Sequence, residues 1–214
     1  LRSIYDAFIN NNADAVGGRI HLDKSIKLPK WILPDMSGFL GYQDLGEVPF
    51  QMDGTKNYPF GGNMAFSRKI TKKVGLFNPK LGRKGEGKAR KELFKGAETD
   101  YFHRLSDIEN HRIFYAPDAI VYHQIKDFQL EKKYFRTIHF NAGFQKAFFD
   151  DTSYNRLIAG VPLFLYGQFF RNAGKYLVQV IQKGSDQAFR QQMTTGNFLG
   201  MILGYHKKYK DQKH

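Results

Sequence analysis

Three ionisable side chains within residues 95–123 have types and spacing suited to group transfer: Glu98, Asp100 and His123. The segment reads KGAETDYFHRLSDIENHRIFYAPDAIVYH, a glycine-led acidic turn and a helical pattern followed by apolar strand patterns ending on His123. A carboxylate in the first turn of a helix is kept ionised by the helix dipole and by unpaired backbone N–H groups. Ionised, it can take a proton from a substrate hydroxyl within hydrogen-bond reach, which is general-base chemistry. Glu98 is the first choice because it precedes the first regular turn; capping the helix is its plain structural alternative. Asp100 stands four residues before Arg104, a spacing that equally makes a surface ion pair. A neutral imidazole at the C-terminal end of a strand, where α/β sheets place their ligands, can bind a divalent metal. No second ligand at metal-site spacing accompanies His123, so an ordinary hydrogen-bonded histidine is the competing reading. His103 and His111 fall on helix-surface and loop positions and are assigned no chemistry.

A second stretch, YPFGGNMAFS over residues 58–67, puts bare backbone at Gly61 and Gly62 just before an apolar strand. Asn63 adds two side-chain donors and an acceptor. The bland reading is a tight turn before a buried strand. Residues 81–95, LGRKGEGKARKELFK, read as a mobile basic loop leading into the acidic turn. Such a loop could close over a phosphate-bearing substrate or simply be solvated surface.

The elements that must position these residues alternate helix and strand, which predicts an α/β fold with parallel pairing. A helix over residues 1–12 stops at an Asn run, and a strand covers 15–22. Residues 28–53 lack a period and read as a surface excursion with at most a short helix near Trp31. Ser67 is placed to cap a helix over 68–74, with Gly75 as its stop. The helix after the acidic turn runs to about residue 110, with Tyr101, Leu105 and Ile108 inward. Strands over 113–115 and 120–123 flank a Pro117-Asp118 turn. Helices over 129–150 and 154–182 follow, and Gly184-Ser185 separates them from a last helix toward Tyr205 and a Lys-rich tail. The apolar run 157–170 is short of the roughly 20 residues a span needs. With Arg171, Lys175 and Lys183 after it, the run suits a helix lying in a membrane interface, or a core-packing helix.

Composition narrows the classes. The 214 residues contain no cysteine, which excludes a disulfide scaffold and a thiolate metal site and leans toward a reducing compartment. Thirty-three basic against 20 acidic residues give a net charge of +13, which predicts affinity for polyanions. The basic residues are scattered and no zinc, RRM-like or helix-turn-helix signature is present, so nucleic acid is disfavoured as the partner. The chain opens inside a helical pattern, which leads us to expect a fragment of a longer protein that is inactive alone.

Three segments in order, VGGRI, PFGGNMAFSRKITKKVGLFNPKLG and GAETDYFHRLSDIENHRIFYAPDAIVYH, resemble glycosyltransferase family 2, inverting sugar-nucleotide transferases of the GT-A fold. The resemblance covers about residues 13–123. It implies a partial GT-A, Rossmann-like mixed sheet over residues 1–127, followed over 128–214 by a basic region resembling the amphipathic C-terminal helices of membrane-associated members. The family's Gly-Glu-Asp-x-Asp motif falls on Gly96, Ala97, Glu98, Thr99 and Asp100. Glu98 then takes the place of the usual Asp base, with Asp100 beside it, and Ala97 departs from the usual Glu. His123 falls on the strand-terminal metal ligand, for Mg²⁺ or Mn²⁺. Gly61, Gly62 and Asn63 match the turn lining the donor-sugar and acceptor cleft. The family's Asp-x-Asp metal motif and nucleotide-binding units are expected before Leu1, since Asp6 and Asp14 lack the spacing to replace them. The implied partners are a nucleotide-sugar donor and a saccharide or lipid-linked acceptor. The implied setting is cytoplasmic, with peripheral contact at the inner face of the membrane. The rival reading is a basic nucleic-acid- or membrane-surface-binding module without catalysis.

Overall fold

The computed structural model describes residues 1–84, 89–94 and 96–213. They form two units, Leu1–Gly82 with Gly96–Asp127 and Arg83–Lys95 with Phe128–His214.

The first unit opens with α1 (Arg2–Asn11), which ends where Asn12 turns left-handed at φ 47° and its N–H bonds the Phe8 carbonyl. Asn tolerates that conformation better than most residues, which is why the Asn run stops the helix. Strands β1 (Ala15–Leu22), β2 (Phe50–Met52) and β3 (Met64–Phe66) follow, then α2 (Arg68–Val74), α3 (Ala97–Ser106) and β4 (Ile113–His123). The sheet order is β2-β4-β1-β3, with β1 and β4 parallel and both edge strands antiparallel. Alternation along the central strands sorts the core. Ala15, Ile113 and Tyr115 pack with Ile70 of α2 and Phe102 and Leu105 of α3. Val16, Phe114 and Ala116 pack with Ala7 and Phe8 of α1 on the other face. The first unit is therefore a mixed sheet covered by helices on both faces.

Several expectations are corrected. The Pro117-Asp118 turn is a bulge within one continuous strand: Gly18 pairs with Ala116, and the next residue, Arg19, pairs with Ile120. The residues thrown out by the bulge find partners from far along the chain, so the strand resumes its register. The excursion over 28–53 holds a 3₁₀ turn at Pro34–Leu40 and the edge strand β2, and α3 ends at Ser106, short of residue 110.

The second unit contains α4 (Lys132–Phe148), a hairpin of β5 (Leu157–Ile158) and β6 (Val161–Pro162), α5 (Leu163–Gln187) and α6 (Phe189–Asp211). The hairpin replaces the expected helical start near residue 154. Its turn residues, Ala159 at φ 51° and Gly160 at φ 77°, have the positive angles of a tight hairpin. Gly184 leaves helical geometry at φ 82°, which breaks α5 where the sequence suggests. Helices α4 and α6 run parallel, because Phe135 meets Phe189, Asn197 bonds the His139 carbonyl and Tyr205 meets Asp150. Their backbones nearly touch: a Cβ on Gly200 would lie 2.1 Å from the Phe140 carbonyl oxygen, and one on Gly143 2.0 Å from that of Asn197. Only glycine permits that approach.

Residues 89–94 of the basic segment, read from sequence as a mobile loop, are held on α4. Asn141 donates to the Arg90 and Leu93 carbonyls at 2.7 and 3.2 Å, and a 3₁₀ turn covers Arg90–Glu92. Before them, the Lys84 N–H bonds the Glu92 carbonyl at 3.0 Å, and residues 85–88 and 95 of that segment lie outside the described residues.

Candidate active site

Glu98 sits in the first turn of α3, whose N-cap is Gly96 at φ 105° and has no side chain to cap with. Among the described residues no hydrogen bond or ion pair engages its carboxylate. What lies against it is backbone: a Cβ built on Gly61 would be 2.4 Å from Glu98 Oε1. Any side chain at position 61 would displace that carboxylate, so the glycine is what lets an acidic group lie over an exposed turn.

The turn is positioned from three sides. The buried Gln43 side chain donates to the Tyr58 carbonyl at 2.8 Å and accepts from the Phe60 N–H at 2.9 Å. The Tyr58 hydroxyl shares a 2.9 Å hydrogen bond with the Thr99 hydroxyl, tying the turn's approach to the helix that carries Glu98. Its ring also stacks on Phe102, with centroids 5.7 Å apart. The Asn63 N–H closes the turn onto the Phe60 carbonyl at 3.0 Å.

Asn63 itself acts as a strut between two strands. Its Nδ2 donates to the carbonyls of Arg19 and Ala119 at 2.9 and 2.7 Å, spanning β1 and β4 at the bulge, and the residue is buried. Arg19 Nε bonds the Pro117 carbonyl at 2.7 Å and completes the repair. Both amide hydrogens of Asn63 are thereby committed to the sheet. Gly18 must be a glycine for the same reason, since a Cβ there would lie 2.1 Å from the Ala119 oxygen. Gly61 and Gly62 are exposed, and Gly62 packs over Ile20.

Asp100 is an ion-pair residue. Its Oδ2 accepts from Arg104 Nε and Nη2 at 3.0 and 2.9 Å. The same guanidinium donates to the Val74 and Leu76 carbonyls at 2.6 and 3.0 Å, so the pair fastens the end of α2 to α3.

His123 ends β4, half-buried, beside Leu22 at the end of β1. Its Nδ1 lies 2.9 Å from the Leu40 carbonyl. A carbonyl only accepts, so Nδ1 carries the proton of this hydrogen bond, which leaves Nε2 as the nitrogen that could bind a metal. One imidazole is not a metal site. Among the described residues no group of three His, Cys, Asp or Glu side chains could hold an ion, so they do not build a site for Mg²⁺ or Mn²⁺ by themselves. Leu40 and Gly41 lie against the His123 ring.

One polar pair was missed from sequence. His21 Nε2 lies 3.0 Å from Asp44 Oδ2, with the imidazole stacked on Tyr42 at 5.8 Å. The Gly46 N–H, and then His21 and Arg19, hold the Asp44 carboxyl below its usual range. The strand-end position that singled out His123 applies to His21 as well, but Asp44 lies in the aperiodic excursion and offered no local signal. Two grooves of about 460 and 370 Å³ lie in the second unit, along Phe140 and Met193 and along Asp150 and Tyr205; neither contains Glu98, Asp100 or His123. No protein-family model matches the chain, and neither curated proteins nor solved structures contain a match to it.

Proposed function

We propose that the first unit carries the base-bearing side of an inverting glycosyl-transfer site. The donor is a nucleotide sugar and the acceptor a hydroxyl of a saccharide or lipid-linked sugar. The acceptor oxygen attacks the anomeric carbon while its proton passes to the Glu98 carboxylate. The carbon–oxygen bond to the diphosphate breaks in the same displacement, and the nucleoside diphosphate leaves with the bonding electrons, so configuration inverts. The exposed Gly61-Gly62 backbone leaves room for a sugar beside the carboxylate, with Gln43, Tyr58 and Thr99 fixing the turn.

One observation carries the reading: Glu98 lies unpartnered among the described residues, in the first turn of α3, against a glycine that no other residue could replace without moving it. Asp100, spent on Arg104, is left out of the base role. A divalent cation would need ligands besides His123, and the base assignment does not depend on one.

The test is acceptor-dependent release of nucleoside diphosphate from a panel of sugar nucleotides by the longest gene product containing this chain, with the product anomer read by NMR. Release with inversion is expected. No release with any donor, or retained configuration, overturns the proposal.

A further inference from the structure

Helix α5 is packed on one side and bare on the opposite one. Leu165 and Asn172 are buried, and Asn172 accepts from Gln191 of α6 at 2.9 Å through its side-chain oxygen. At the angular step of an α-helix, Phe164, Phe170, Leu177, Val178 and Ile181 fall together on the other side. Their exposures are 53, 68, 61, 51 and 85%. Gly167 and Gly174 lie on the same side, and a Cβ on either would meet nothing within 4 Å. Apolar side chains scattered singly over a surface need no explanation, but five more than half exposed along one helix face mark an interaction surface.

The charges along the helix indicate what covers it. From Leu163 to Ser185 the charged residues are Arg171, Lys175 and Lys183, with no acidic side chain. Arg171 and Lys175 are exposed and border the apolar face, where their stems can lie along it while the charged ends reach outward. Among the described residues no helix is long and apolar enough to cross a membrane. A helix with one apolar face, cations along one edge of it and no capacity to span lies in the plane of a bilayer interface. A second copy of the chain would bring the same cations to the interface, whereas anionic headgroups neutralise them, as they do the net charge of +13.

We propose that the outer face of α5 seats this protein on an anionic lipid bilayer, with the helix axis parallel to the membrane surface. The inference stands apart from the transfer reaction, because its readout is lipid binding.

Flotation of the intact chain with phosphatidylglycerol-containing vesicles, beside vesicles of phosphatidylcholine alone, tests it. The protein should float with the anionic vesicles and bind the zwitterionic ones at least about tenfold more weakly. The double variant Phe170→Glu/Ile181→Glu should lose at least about tenfold in binding to the anionic vesicles. Both positions are solvent-exposed, so an unchanged circular dichroism spectrum is expected. Failure to float with anionic vesicles, or equal flotation of the variant, overturns the proposal. A dimer that the same variant dissociates, with neither protein captured by vesicles, also overturns it and assigns the face to a second copy.

Discussion

Two carboxylates separated by one residue do different work because their surroundings differ. Glu98 faces the bare backbone of Gly61, whereas Asp100 is gripped by the Arg104 guanidinium that also reaches the end of α2. Asp100→Asn should therefore lower thermal stability by about 1 kcal/mol and leave turnover within about twofold, because the pair it weakens is partly exposed. A large fall in turnover at unchanged stability would instead return Asp100 to the site. Sequence spacing had allowed both roles for Asp100, and it could not choose, since the carbonyls that recruit Arg104 lie at and just beyond the end of another helix. For Glu98, the motif register pointed to the residue, but not to the glycine contact that frees its carboxylate.

At the scale of elements, local signals were legible and long-range ones were not. Ser67 caps α2 by accepting from the Ile70 N–H at 3.1 Å, and Asn12 and Gly75 end their helices, all through neighbours within a turn or so. The β4 bulge was read as a turn because Pro117-Asp118 carries a turn signal, while Asn63 and Arg19, which satisfy its carbonyls, are remote in sequence. Asn63→Ala removes both amide bonds and leaves buried carbonyls without their donor, so unfolding should cost roughly 2–3 kcal/mol less than in the wild type. Chemical denaturation measures this; a change below about 0.5 kcal/mol would mean that the bulge is held by other contacts.

The end of α4 carries a pH dependence. Hydrogen bonds from Thr152, then from Tyr205 and Tyr154, hold the Asp150 carboxyl well below the usual carboxylate range. Burial, and then Asp150 itself, push the Tyr205 hydroxyl up. A carboxyl whose folded pKa is depressed contributes stability that is present above its unfolded pKa, about 4, and is lost as pH falls toward the folded value. Asp150→Asn should accordingly be less stable than the wild type at pH 7, by on the order of 1–3 kcal/mol, with the gap narrowing on acidification below about pH 5. Thermal midpoints across pH 3–7 check it, and a constant gap would contradict it.

Across the whole molecule, the helix–strand alternation indicated an α/β fold with parallel pairing, which holds for β1 and β4, whereas the antiparallel edge strands carry no such local signal. The second unit was less legible. Its α4–α6 contact depends on Gly143, Gly200 and Gly204, which in sequence look like helix-weakening residues and in space permit two backbones to approach. Residues 89–94 likewise depend on Asn141, half a hundred positions away, for their order. Of the exposed face of α5, Phe164 and Phe170 belong to the apolar run read from sequence, while Leu177, Val178 and Ile181 lie beyond it and are placed on that face by the packing.

The central claim is that Glu98 takes the acceptor proton, and Glu98→Gln isolates it by keeping the side chain's shape while removing its basicity. In the longest gene product containing this chain, the variant should lose about 10²–10⁴-fold in kcat, while the Kd of the donor sugar nucleotide, measured by calorimetry, changes less than about threefold. Turnover within a few fold of the wild type would contradict the account.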